Sequence, residues 1–128
     1  MTKSERFYSF FNSFGIPAYE ENSVPADADG IKNGEPYLTY EFTEDTFDGD
    51  DININAQLFD KDSSWLFLDS LTSSISDYIG RQGKVLPVDN GYILVMRGTP
   101  FAQNRKESAD GTVKCKVLTF IVRFYTSN

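Results

Sequence analysis

The chain has 128 residues, 40% of them hydrophobic and 24% charged, a balance that fits one folded domain and argues against a disordered chain. With 19 acidic against 12 basic residues its net charge is −7, which argues against binding nucleic acid through its phosphates, since that needs clustered Lys and Arg. No apolar run approaches the roughly 20 residues that span a bilayer.

The opening MTKSERFYSFF has a short basic start but no apolar core and no small-residue cleavage site, so a mature, cytosolic start is expected. Residues 3–14 are predicted to form a first helix. Ser4 and Glu5 suit its opening, Phe7, Phe10, Phe11 and Phe14 recur at helical spacing, and Gly15 with Pro17 stops it. Residues 18–35 hold Pro25, Gly30 and Gly34 without a sustained period and read as a long loop. Most of the acids lie in the first half of the chain, in the loop from Glu20 to Glu35 and in EDTFDGDD at 44–51. Solvated loops are the plain expectation; an acidic surface that repels or imitates DNA is the alternative.

A hairpin follows. Leu38, Tyr40 and Phe42 alternate with polar residues over 37–42, and Ile52, Ile54, Ala56 and Leu58 do so over 52–59. Asp48-Gly49 between them suits a tight turn, and Pro36 stands at the start of the first strand, where a missing N–H does least harm. A second helix is expected from Asp62 or Ser63 as N-cap to Ile79. Trp65, Leu68, Leu71 or Thr72, Ile75 and Tyr78 or Ile79 form its stripe, Asp69, Ser70, Ser73, Ser74 and Asp77 its solvent face, and Gly80 its stop. The remainder reads as strands at 84–88, 92–97 and 112–126, with a turn at Asp89-Asn90-Gly91 and a polar loop over 98–111. The expected fold is therefore a single α+β domain over 1–128, ordered α-β-β-α-β-β-β, with a mostly antiparallel sheet and two helices packed on one face.

Signs of catalysis are lacking. The chain has no histidine, which removes the usual general base, the Ser-His and Cys-His dyads and histidine metal sites. The lone Cys115 alternates with Lys114 and Lys116, and is expected to face inward with Val113 and Val117 as a small hydrophobe. DADGIKNGE and EDTFDGDD lack the ligand spacing of a calcium loop, and GRQG does not fit a phosphate-binding loop. We expect no enzyme, no cofactor, no catalytic residue and no metal.

The last strand, TVKCKVLTFIVRFYT, raises a different matter. From Leu118 onward both faces are mostly apolar: Leu118, Phe120, Val122 and Phe124 on one, Ile121 and Tyr125 on the other. Helices cover one face of an antiparallel sheet in a domain of this size, so the second face needs another cover. Either the loop after Pro17 folds back over it, or another subunit does.

The stretch GTPFAQNRKESADGTVKCKVLTFIVRFYT (98–126), with the amphipathic central helix and the overall element order, resembles the tail terminator (tail-to-head joining) proteins of long-tailed bacteriophages and prophages. The similar features are a TPF start to a loop, an acidic residue and Gly before a long last strand, and the aromatic ending FYT. The resemblance covers most of the chain in layout and residues 98–126 in local pattern; the acidic loop from Glu20 to Glu35 has no counterpart in it.

It implies a structural virion protein at the head–tail junction, assembled in the host cytoplasm. Such a protein forms a homo-oligomeric ring, commonly a hexamer, that caps the tail tube, ends its polymerisation and meets the head connector. DNA would pass through the ring without specific binding, and no membrane is involved. Phe101, Phe120, Val122, Phe124 and Tyr125 become candidate subunit contacts, and Arg97, Arg105 and Lys106 candidates for pairing with acids of a neighbour or of tail proteins. The competing reading is an acidic inhibitor or DNA mimic that blocks a nucleic-acid-acting enzyme; a small enzyme ranks third.

Overall fold

The computed structural model of the chain describes residues 1–24, 36–42, 51–61, 65–106 and 114–126. The elements are α1 (Lys3–Asn12), β1 (Ala18–Glu20), β2 (Tyr37–Tyr40), β3 (Ile52–Asp60), α2 (Leu66–Ile79), β4 (Lys84–Val88), β5 (Gly91–Lys106) and β6 (Lys114–Thr126). The strands form one sheet in the order β1-β2-β3-β6-β5-β4. Among the described residues only β1 and β2 pair in parallel; the other pairings are antiparallel. The fold is α+β, with six strands and two helices among the described residues.

α1 begins at Lys3, as expected, with Glu5 as its third residue. Thr2 is the N-cap: its hydroxyl accepts from the Glu5 N–H at 3.2 Å while its own N–H donates to the Glu5 carboxylate at 3.0 Å. This reciprocal box satisfies two amide donors that the helix start would otherwise leave open. The helix ends at Asn12, short of the expected Phe14.

That Asn12 also creates an element the sequence reading lacked. Its side-chain amide donates to the Ala18 carbonyl at 3.2 Å and accepts from the Ala18 N–H at 3.1 Å, as a strand backbone would. Ala18 is thereby fixed as the first residue of β1, in register with Leu38. The observed order therefore has a strand between α1 and β2 where the sequence suggested loop. Residues 25–35 of the acidic loop, the Asp48-Gly49 turn, the expected caps Asp62 and Ser63, and residues 107–113 with Val113 lie outside the described residues.

The core alternates along β6. Leu118, Phe120, Val122 and Phe124 are buried, with half-buried residues between them, as the two-residue period of a strand requires. Phe7 of α1 meets Phe124 edge-on at 6.1 Å, and Phe10 and Phe11 meet Phe120 at 6.3 and 5.6 Å. α2 buries Leu68, Leu71, Ile75 and Ile79. The two helices touch where Phe10 and Phe14 meet Tyr78. Most contacts in this cluster are tilted or T-shaped, while Phe7–Phe11 and Phe11–Tyr40 stack near-parallel.

β5 is far longer than the predicted 92–97 strand. Its ladder with β6 runs from Gly91↔Thr126 to Arg97↔Phe120, breaks, and resumes at Ala102↔Leu118. The irregular segment between Arg97 and Ala102 contains a cis peptide between Thr99 and Pro100. Residues 98–106, read as polar loop, are thus the outer half of a strand.

Candidate assembly face

Cross-strand partners share a sheet face, so the register assigns the surface opposite Phe120 and Phe124. One row is Pro87, Tyr92 and Tyr125; a second is Val85, Leu94 and Arg123; a third is Met96, Ile121 and Asn53. Val85 is 52% and Tyr92 41% exposed, while Leu94, Met96, Ile121 and Tyr125 are half-buried. The rings of Tyr92 and Tyr125 stack at 4.9 Å. Toward β3 the same face turns polar, with Asn53, Asn55, Gln57 and Thr119; the Thr119 hydroxyl and the Asn55 side-chain oxygen lie 3.0 Å apart.

One ion pair crosses the apolar part. Arg123 Nε donates to Asp51 Oδ1 at 2.7 Å, and its Nη1 donates to the Tyr125 hydroxyl at 3.1 Å. The Tyr125 hydroxyl, then the Asp51 carboxylate, hold the guanidinium still more firmly in its charged form. Tyr125 is thereby pinned twice, by a ring on one side and a guanidinium on its hydroxyl. The face is shaped in advance: an aromatic pair, flanking aliphatic residues and a fixed charge pair.

The lysines of β6 lie where the alternating pattern did not put them. Lys114 and Lys116 share the face of Leu118, and their ammonium groups sit 5.8 and 6.0 Å from the centre of the Trp65 ring. Lys116 also donates to Asp69 of α2, and only 12% of its side chain is exposed. Their alkyl stems cover apolar surface while the charges find Trp65 and Asp69, so lysine is tolerated on the side that carries the core. Cys115 is buried, as expected, but on the other face, paired in register with Phe59, whose ring stacks on Tyr37 at 4.9 Å.

The eight residues singled out from sequence are scattered by the fold. Phe120, Val122 and Phe124 are each 1% exposed, so their surface is already covered within the chain. Phe101 is half-buried with its ring edge-on to Phe120 at 5.5 Å. Arg97 turns to α2, donating to the Ser76 hydroxyl at 2.7 Å. Tyr125 lies on the outer face. Arg105 is exposed and pairs in register with Cys115, and the backbone of Lys106 pairs with Lys114, its side chain lying outside the described residues. Tyr92, Val85, Leu94 and Met96, the other half of the outer face, were missed. Their signal was present in GYILVM, where Tyr92, Leu94 and Met96 alternate with the core residues Ile93 and Val95.

Among the described residues no cluster of His, Cys, Asp or Glu is arranged to hold a metal ion, and no helix is long and apolar enough to cross a membrane. No protein-family model, curated protein or solved structure matches the chain.

Proposed function

We propose that this chain is a structural assembly protein of the tail-terminator kind. It closes into a ring with its own copies, caps a phage tail tube, ends tube polymerisation and joins the tail to the head connector. In this reading both helices cover one face of the sheet, and the face bearing Tyr92, Tyr125, Val85 and Leu94 meets a neighbouring copy. The observation that carries the reading is that outer face: exposed Val85 and Tyr92 in register with half-buried Leu94 and Tyr125, the two tyrosine rings stacked.

A ring requires head-to-tail contacts that close on themselves, so the outer face meets a different surface of the next copy. Phe120, Val122, Phe124 and Phe101 serve as packing that supports the outer face rather than as contacts. Arg105 and Lys106, at the far end of the β5–β6 ladder, are kept as groups for acids of a neighbour or of the tube protein, and Arg97 is assigned to its own α2. The net charge of −7 suits a channel through which DNA passes without sticking, because like charges repel the phosphate backbone.

Light scattering after size exclusion, over a concentration series, tests this. The expected result is a discrete species with the mass of a hexamer of 14.5 kDa chains, alone or on addition of polymerising tail tube protein, whose tubes it shortens. A strict monomer that leaves tube length unchanged rejects the reading.

A further inference from the structure

A second surface has different chemistry and does not depend on the assembly reading. The first turns of α1, strand β1 and the end of β2 enclose a cleft of about 470 Å³, within the range of roughly 300–1,000 Å³ usual for small-ligand sites. Three tyrosines line it, Tyr8, Tyr19 and Tyr40, together with the carboxylates of Glu5 and Glu20. Among the described lining residues there is no Lys or Arg, and the N-terminal ammonium of Met1, which also lines the cleft, is paired with the Asp89 carboxylate. Of the basic residues of α1, Lys3 has its ammonium 5.0 Å from the centre of the Phe124 ring, and Arg6 is directed to the sulfur of Met1, a lining residue.

The walls are held without a ligand. Tyr40 is 4% exposed and stacks on Phe11 at 4.5 Å. Glu20 accepts from the Asn22 N–H at 3.0 Å, the Asn22 side-chain amide at 3.2 Å and the Ser23 hydroxyl at 3.2 Å. Glu5 is fixed by its capping box with Thr2. A site whose groups are already immobilised spends little of its binding energy on ordering them.

The side chains lining the cleft bring two carboxylates, Glu5 and Glu20, beside the paired ammonium of Met1. Burial, then the charge of Glu20 and the neighbouring Tyr8, push the Tyr40 hydroxyl up to about 12. Beside it, burial and the charges of Glu41 and Glu20 raise the Glu21 carboxyl. The start of a helix ordinarily attracts anions, but here Glu5 already occupies that position. Aromatic rings combined with fixed carboxylates are the chemistry that recognises organic cations, whose charge is drawn to ring faces and whose alkyl body tolerates an apolar wall.

We propose that this cleft binds an organic cation, an alkylammonium or alkylguanidinium group, set among Tyr8, Tyr19 and Tyr40 and neutralised by Glu20 and Glu5. The group is either a free small molecule or the side chain of an arginine or lysine in a peptide segment. The two sources share one recognition chemistry, and the test separates them.

The full chain, labelled at its tyrosine rings, is titrated by NMR with N-methylguanidinium chloride, with a Gly-Arg-Gly peptide, and with neutral N-methylurea, all at fixed ionic strength. Saturable shifts of Tyr8, Tyr19 and Tyr40 are expected with one or both cations, at least tenfold tighter than with the urea. Saturation by the free ion alone identifies a small-molecule site, and saturation by the peptide alone identifies a protein side chain; either supports the proposal. Tyr8→Ala and Glu20→Gln should each weaken binding at least fivefold. Tyr8 is 57% exposed, so its variant keeps the fold, which the dispersion of the remaining resonances checks directly. Absence of saturation with both cations, equal binding of the urea, or full affinity in both variants overturns the proposal. None of these outcomes depends on whether the chain forms a ring.

Discussion

Tyr92 and Tyr125 stack across β5 and β6 with ring centroids 4.9 Å apart and planes inclined by 23°, on the side of the sheet opposite the buried pair Ile93 and Phe124. Adjacent residues of the same two strands thus do opposite work. Ile93 and Phe124 hold the chain together, whereas Tyr92 and Tyr125 present a rigid aromatic step to the outside.

Substituting Tyr92→Asp separates the two roles. Tyr92 is 41% exposed, so the variant forfeits one stacking contact and changes folding stability by about 1 kcal/mol or less. Its effect on assembly should be large, because a carboxylate would be placed at the centre of the proposed contact without a partner. Light scattering on the variant should give monomer at concentrations where the parent chain is oligomeric, with an unfolding curve shifted by no more than that small amount. An intact oligomer would remove Tyr92 from the interface.

Phe120→Ala should behave in the opposite way. The ring is 1% exposed and meets Phe10, Phe11 and Phe101 within 6.3 Å. Removing it leaves a cavity among side chains anchored on α1 and β5, and truncating a buried Phe costs about 3–5 kcal/mol. Domains of this kind have about 5–15 kcal/mol in total, so the denaturant midpoint should fall steeply. A variant of undiminished stability would mean that Phe120 is not the core residue its burial indicates.

Much of this fold was legible because the elements obey local rules. Phe7, Phe10 and Phe11 announce α1 by spacing, and Leu68, Leu71, Ile75 and Ile79 announce α2. Residues 84–88 read correctly as a strand, and the Asp89-Asn90-Gly91 turn follows from glycine's freedom at positive φ. What was not legible depends on partners distant in sequence. β1 exists because the side chain of Asn12 imitates a strand backbone, and nothing in the composition of residues 18–24 signals it. The extension of β5 past Pro100 is sustained by pairing with β6, which overrides the polar, loop-like composition of AQNRK. The outer face was half-seen, through Ile121 and Tyr125, because only the register brings Tyr92 and Leu94 beside them. The cleft between α1 and β1 could not be foreseen without β1.

The phenol of Tyr40 offers a pH test. Burial, and then the negative charge of Glu20, raise it from 10.0 to about 12. Because the folded value lies above the unfolded one, the contribution to stability is complete below pH 10 and is lost as the pH rises through about 12. Spectrophotometric titration should contain one tyrosine step well above the ordinary range, missing in Tyr40→Phe. Unfolding followed across the same window should show a weaker alkaline loss of stability in that variant. An unchanged titration curve would assign the high step to another tyrosine.

Gly91, the first residue of β5, has the strictest steric requirement among the described glycines. Its φ is +150°, and a Cβ built there would lie 2.0 Å from the Tyr125 carbonyl oxygen and 3.0 Å from the Thr126 Cα. Those atoms are backbone in the partner strand, so no side-chain rotation relieves the clash; β5 or β6 must move. Gly80 is the natural comparison: its φ of +74° and ψ of 178° also lie where almost only glycine goes, but an added Cβ meets nothing within 4 Å. Gly80→Ala should therefore cost only the backbone penalty, about 1–3 kcal/mol. Gly91→Ala should cost more than that, and it should also disturb the Tyr92–Tyr125 stack one residue further on. Urea unfolding of both variants, together with the tyrosine ring resonances of Gly91→Ala, tests the order. Equal costs at the two positions would show that β5 and β6 do not approach as closely at this turn as their register requires.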